Sequence, residues 1–136
     1  MTKIISKEII KVVSVNISKV KGTKKIPVEA IVLNEKGIVE DAHSGEWHRQ
    51  ISMLGTESIN KHNTMYNVDV KFGEFAENIT TEGMELYKAR IGDRFVSDGV
   101  VLELTQIGKK CHGDSCAIFK ETGDCVMPRE GVFCRV

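Results

Sequence analysis

The run Phe95-Val96-Ser97-Asp98-Gly99-Val100-Val101-Leu102-Glu103-Leu104 limits the possible folds more than any other stretch of the chain. Asp-Gly readily takes the positive φ values of a tight two-residue turn. Val100, Leu102 and Leu104 recur at every second position, so the segment predicts a β-hairpin with one face turned inward. Such a hairpin commits the chain to a sheet.

The same alternation marks other segments. From Ile9 to Val20 the apolar Val13, Val15 and Ile17 alternate with Ser14, Asn16 and Ser18, which predicts a half-buried strand. Lys21-Gly22-Thr23-Lys24-Lys25 is a polar connection, and Pro27 to Leu33 reads as a second strand ending in a turn at Asn34-Glu35-Lys36-Gly37. After a loop from Val39 to Trp47, Arg49 to Leu54 alternates as a third strand. Thr56 is placed to cap a short helix running through Asn60 to His62, with His62 expected on its solvated face. Phe72 to Gly83 predicts a loop holding a short strand near Asn78 to Thr80, Arg90-Ile91-Gly92-Asp93 a turn, and Val132 to Val136 a closing strand. Many short strands with little helix predict a mainly β fold: a closed or partly open β-barrel with one or two short helices, in one domain of residues 1–136.

Bulk properties remove several classes of function. A chain of 136 residues can bury its own core without covalent staples. Nineteen basic and nineteen acidic residues cancel, so no global field draws a nucleic acid, though a local patch could hold a phosphate. The longest apolar stretches, such as Ile26 to Leu33, fall far short of the roughly 20 residues that cross a bilayer. Lys3, Lys7, Glu8 and Lys11 interrupt the segment where a secretory signal needs an apolar core, so a cytoplasmic protein is expected.

The cysteines at 111, 116, 125 and 134 crowd the C-terminal quarter, which does not suit a disulfide scaffold for the whole chain. In a reducing compartment such thiols serve catalysis, metals or redox chemistry more often than structure. Cys111 follows Lys109-Lys110 and precedes His112, neighbours that lower a thiol's pKa and raise its thiolate fraction. The alternative reading is a small buried hydrophobe. Cys111, His112, Cys116, Cys125 and Cys134 could instead hold zinc, although their spacing fits no common finger. Cys134 lies in an apolar strand and reads as packing, whereas Cys116 and Cys125 are auxiliary thiols able to resolve an oxidised Cys111 or share a ligand.

Other side chains suit ligand contacts. Asp41, His43, His48 and Arg49 gather in one loop and the strand start that follows it, as an anion or metal site requires, or as a solvated loop with a structural ion pair would. Glu77 and Asn78 pair a carboxylate with an amide that both donates and accepts, suited to a heterocycle or to bracing a loop. Arg129, beside Glu130 and Gly131, is a candidate phosphate contact.

In order, Gly37 to Ser52 (GIVEDAHSGEWHRQIS), Phe72 to Gly83 (FGEFAENITTEG), Ile91-Gly92-Asp93, Val101 to Gln106, Cys111 and Gly131 to Val136 (GVFCRV) resemble the MOSC domain, the family named for the C-terminal part of molybdenum cofactor sulfurases. The resemblance spans about residues 10 to 136. It implies a β-barrel-like fold and makes Cys111 a thiol that either carries persulfide sulfur or ligates the molybdenum of a bound molybdopterin. Asp41, His43, Arg49, Glu77 and Asn78 would then line the cofactor cleft, with Lys110 and Arg129 as cationic contacts. The chain departs from many relatives in having Lys110 where they place proline, and in adding Cys116 and Cys125.

The function this implies is a molybdenum cofactor binding or sulfur-carrier module acting in cofactor maturation or transfer, more a carrier than an independent enzyme. Its partners would be a cysteine-desulfurase-type sulfur donor or a molybdoenzyme acceptor, and pyridoxal phosphate is not expected on this chain. The competing readings are a molybdenum-dependent reductase of N-oxygenated small molecules with an external electron donor, and a zinc-stabilised structural domain.

Overall fold

A computed structural model describes residues 9–21, 23–97, 99–108 and 127–136. The fold is mainly β: seven strands form one sheet curled into a half-barrel. In chain order the strands are β1 (Lys11–Ile17), β2 (Ile26–Val28), β3 (Leu33–Asn34), β4 (Gly37–Ile38), β5 (Ile51–Gly55), β6 (Ile79–Glu82), β7 (Arg94–Ser97), β8 (Val100–Ile107) and β9 (Val132–Arg135). The sheet order is β2-β1-β6-β5-β9-β8-β7, while β3 and β4 pair separately. Helix α1 (Thr56–Tyr66) links β5 to the loop before β6, a 3₁₀ turn covers Leu86–Lys88, and a short α2 (Met127–Glu130) precedes β9.

The hairpin forms as expected, with Ser97 opposite Val100 and Gly99 at φ +71°. The Asn34 to Gly37 turn closes β3 onto β4. The Arg90 to Asp93 turn is tied by the Arg90 amide donating to the Asp93 carboxylate at 2.9 Å. The predicted closing strand is interior, with β9 bonded to both β5 and β8.

All five residues of β5 are buried, although the sequence there alternates. The strand sits mid-sheet between β6 and β9, and both of its faces are covered. Ile51 and Met53 join Ile79, Leu102, Leu104, Val132 and Cys134 inside the curl. Leu54 meets Ile59 of α1, Val70, Phe75 and Phe133 on the other face. Burying a side chain such as Leu54 or Ile51 stabilises the fold by about 1.5–3 kcal/mol.

Four local expectations change. The stretch from Pro27 to Leu33 is not one strand. Its start is the sheet edge β2, and the chain then leaves that sheet so that Leu33 can pair with Ile38. In β1 the most buried residue is the polar Asn16, because this face lies under the loop before β6 rather than in water; Asn16 Nδ2 donates to Glu77 O and Thr80 Oγ1. Gly55, not Thr56, is the N-cap of α1, because the helix starts directly from the end of β5 and Thr56 is already its first residue. His62 is only 2% exposed rather than solvated. The returning loop lays Phe75 edge-on against its ring at 4.9 Å.

No described helix is long and apolar enough to cross a membrane.

Candidate functional site

The loop between β4 and β5 is built around Asp41. Its carboxylate is fully buried and accepts from Lys25 Nζ at 2.8 Å, from the Ser18 amide at 3.0 Å and from the His43 amide at 3.0 Å. Burial alone would push this carboxyl up. The Lys25 ammonium and the two amides outweigh that and hold it below its ordinary value. Gln50 closes the loop's base by donating from Nε2 to Glu35 O and Gly45 O, while its Oε1 accepts from the Val136 amide.

Trp47 stands at the loop's centre. Its Nε1 donates to His43 O at 2.8 Å, and the two rings are parallel within 4°. The Arg49 guanidinium lies 4.7 Å from the Trp47 ring centre and 5.7 Å from that of Phe133, and Lys21 Nζ approaches Trp47 from 5.4 Å. Among the described residues Arg49 enters no ion pair, and its buried Nε has no hydrogen-bond partner. A half-buried guanidinium held by aromatic faces, with an N–H unspent, suits a planar or phosphate-bearing anion.

The loop is also fastened to β8. His48 Nε2 and Gln106 Oε1 are 2.8 Å apart, and Thr105 Oγ1 donates to His48 O. Gln106 Nε2 donates in turn to Gly108 O, and the Gly108 amide to Gly131 O. Strand β8 is thereby bonded to the loop that carries Asp41, His43 and Arg49, and its last residue, Ile107, stands four positions before Cys111 in sequence.

Glu77 and Asn78 are fully buried. Asn78 bridges two strands: its Oδ1 accepts from the Ser52 amide and hydroxyl, and its Nδ2 donates to Asn16 O. Glu77 Oε2 accepts from the Gly73 amide at 3.0 Å and from Thr80 Oγ1 at 2.7 Å, while Oε1 has no partner among the described residues. Burial raises the Glu77 carboxyl above its ordinary value, and these hydrogen bonds offset only part of that. The pair braces the sheet against the Gly73 loop.

Arg129 is exposed on α2. Its neighbour Glu130 accepts from Ser58 Oγ and pairs with Lys61, both on α1. These residues, with Glu57, Glu85 and Tyr87, line a polar cavity of about 160 Å³. Cys134 is wholly buried with its Sγ 3.6 Å from Met53 Sδ, and burial pushes its thiol up to about 12, which makes it a packing residue. Lys110, Cys111, His112, Cys116 and Cys125 lie outside the described residues. Among the described residues no three His, Cys, Asp or Glu side chains are placed to hold a metal.

Sequence reasoning passed over Lys25, Trp47 and Phe133. The signal for Trp47 was present, since it is the only tryptophan and falls inside the loop motif. Lys25 carried none, because its partner Asp41 lies 16 positions away.

The curled sheet, with a fastened loop of aromatic and cationic residues, defines a small β-barrel-like fold. The MOSC domain family model matches residues 40–122, more than half of the chain, and the chain belongs to that family, which is associated with the molybdenum cofactor. The fold is similar to that of the YuaD protein from Bacillus subtilis, at 20% identity and a TM-score of 0.77 over 96% of this chain and 89% of that one. It is similar also to YiiM from Geobacillus stearothermophilus, at 21% identity and a TM-score of 0.70 over 93% and 67%. YiiM from Escherichia coli, at 19% identity, gives a TM-score of 0.59 over 93% and 60%. No curated protein matches the sequence significantly.

Proposed function

We propose that the protein binds the molybdenum cofactor, or sulfur destined for it, and passes this cargo to an acceptor, with Cys111 as the sulfur-bearing or metal-ligating thiol. The observation that carries the reading is the hydrogen-bonded seam from His48 through Gln106 to Gly108. It ties the loop holding Arg49 to the strand that leads to Cys111 in sequence. Arg49, with its unspent Nε between two aromatic faces, fits the phosphate end of a pterin. His43 and Lys21 flank the same indole. Lys110 and Arg129 remain further candidate cations. When bound, the cofactor would supply molybdenum–sulfur chemistry, while this chain's residues orient the anion.

As a sulfur carrier, Cys111 would act as a thiolate on the outer sulfur of a donor cysteine persulfide. A sulfur–sulfur bond forms at Cys111 as the donor's sulfur–sulfur bond breaks and its thiolate leaves. A desulfurase-type protein would serve as donor and a molybdoenzyme as acceptor.

The test is reconstitution. Purified protein incubated with molybdopterin, or separately with a persulfide donor, is desalted and examined for bound pterin, for molybdenum and for one added sulfur atom by mass spectrometry. Retained pterin that falls at least tenfold in Arg49→Gln, or a sulfur adduct on Cys111 lost in Cys111→Ser, supports the reading. If neither cargo is retained, the reading fails.

A further inference from the structure

The two edges of the sheet are not alike. At one edge β2 is three residues long and has Pro27 at its centre, which offers no amide to a further strand, and β1, which runs on past it, is bulged between Val12 and Ser14. Both are common ways of closing an edge. The other edge, β7, contains no proline and pairs with β8 without a bulge. The Leu104 amide donates to Asp93 O at 2.8 Å, and Ser97 and Val100 flank the two-residue turn, so the hydrogen-bonded positions of this ladder are Asp93, Phe95 and Ser97. Arg94 and Val96, between them, turn their amides and carbonyls outward from the sheet. Val96 is 75% exposed and Val101, opposite it on β8, is 46% exposed, so among the described residues nothing covers this edge. A Cβ on Gly92 or Gly99, just beyond the two ends of the strand, would meet nothing within 4 Å.

We propose that β7 is an interaction edge that pairs with β7 of a second copy of this chain, antiparallel and across a two-fold axis at Val96, so that the two sheets become one. In this register Val96 of each copy exchanges amide–carbonyl bonds with Val96 of the other, using groups that the single chain leaves turned outward. The two valines meet side by side with Val101 of each copy next to them, so four exposed apolar side chains form one strip on the face away from Leu102 and Leu104. Charge selects this register. The same face carries the row Arg135, Glu103, Arg94 across β9, β8 and β7, and this row ends at the edge on a cation. With Val96 on the axis, Arg94 stands opposite position 98 of the second copy, which in sequence is an aspartate, and the alternation of sign continues. An axis at Phe95 would set Val96 against Arg94 and lose both the valine strip and the charge match. The contact is isologous, so it closes as a dimer and does not grow into a fibre. A four-residue edge falls short of the roughly 1,200 Å² of a stable interface, so the dimer is a reversible one.

The test is sedimentation velocity of the full chain without cofactor, so its result does not depend on whether pterin or sulfur is retained. From about 10 μM to about 1 mM the mass should rise from that of one chain toward that of two. Over the same range amide exchange at Val96 should slow by about threefold or more, while Phe95 and Ser97, already bonded to β8, change little. Val96→Pro removes an outward amide that the single chain does not use, so this variant should keep the β7–β8 hairpin protected and stay monomeric. Arg94→Asp, a change at an exposed residue that sets two aspartates against each other, should weaken the dimer at least tenfold. A wild type that is monomeric throughout overturns the proposal, even if the edge binds a strand of a different protein. A dimer in which the Val96 amide still exchanges freely, or one that Val96→Pro leaves intact, places the contact on another face and overturns it as well. If Val96→Pro does not fold, Arg94→Asp decides, and an unchanged dimer in that variant overturns the proposal.

Discussion

Lys25 Nζ lies 2.8 Å from Asp41 Oδ1, and both side chains are wholly withdrawn from solvent. Breaking such a pair leaves an uncompensated buried charge, so Asp41→Asn is expected to cost about 3–5 kcal/mol at pH 7. The folded carboxyl is held below its ordinary 3.8, so its contribution is present above that value and lost as pH falls through the folded pKa. The penalty of Asp41→Asn should therefore shrink between pH 4 and pH 2, measured as the gap in urea midpoint between variant and wild type. A constant gap would show that Asp41 does not titrate with folding.

Glu77 predicts the opposite slope. Its carboxyl is raised by burial, so the folded form favours the proton, and stability present below the ordinary 4.5 is lost as pH rises through the folded pKa. Glu77→Gln keeps an oxygen for Gly73 and Thr80 without the charge. Its urea midpoint should match the wild type near pH 4 and exceed it at pH 8. A lower midpoint at pH 8 would mean that the anion is paired.

Gly73 has φ +86°, and a Cβ there would stand 2.4 Å from Lys25 O. Gly73→Ala combines left-handed strain with a backbone clash and should cost more than about 2 kcal/mol. It should also loosen Lys25, whose amide donates to Gly73 O. Thermal melting reads the first effect, and accelerated amide exchange at Lys25 the second. Wild-type stability in the variant would contradict the close packing of these two segments.

Arg49→Ala removes a guanidinium from two aromatic rings and is expected to cost about 1–2 kcal/mol. Trp47 is the sole tryptophan, so the emission spectrum reports on the surroundings of this ring, which Arg49→Ala should shift. An unchanged spectrum in Arg49→Ala would place the guanidinium elsewhere in solution.

Much of the fold was legible because it is local. Asp98-Gly99 and Asn34 to Gly37 set their turns by backbone preference, and alternation in β1 and β8 marked strands without knowledge of their neighbours. The family resemblance, carried by ordered motifs, matches the family model over residues 40–122. The misreadings of burial share one cause. Alternation at β5 signalled a half-buried strand, but β6, β9 and α1 cover both of its faces, and the polar side of β1 is covered by the chain returning before β6.

The sequence by itself determined a sheet of short strands, the loop motif from Asp41 to Arg49 and a family, because turn chemistry and side-chain period act over a few residues. The tertiary structure alone decided that Asn16, His62, Glu77 and Asn78 are buried, and that Arg49 rests between Trp47 and Phe133. It also decided that Lys25 lies under His43. Burial and charge pairing depend on which distant segments meet, and a cation in a polar connector has no local mark that separates a solvated lysine from one paired with a buried carboxylate.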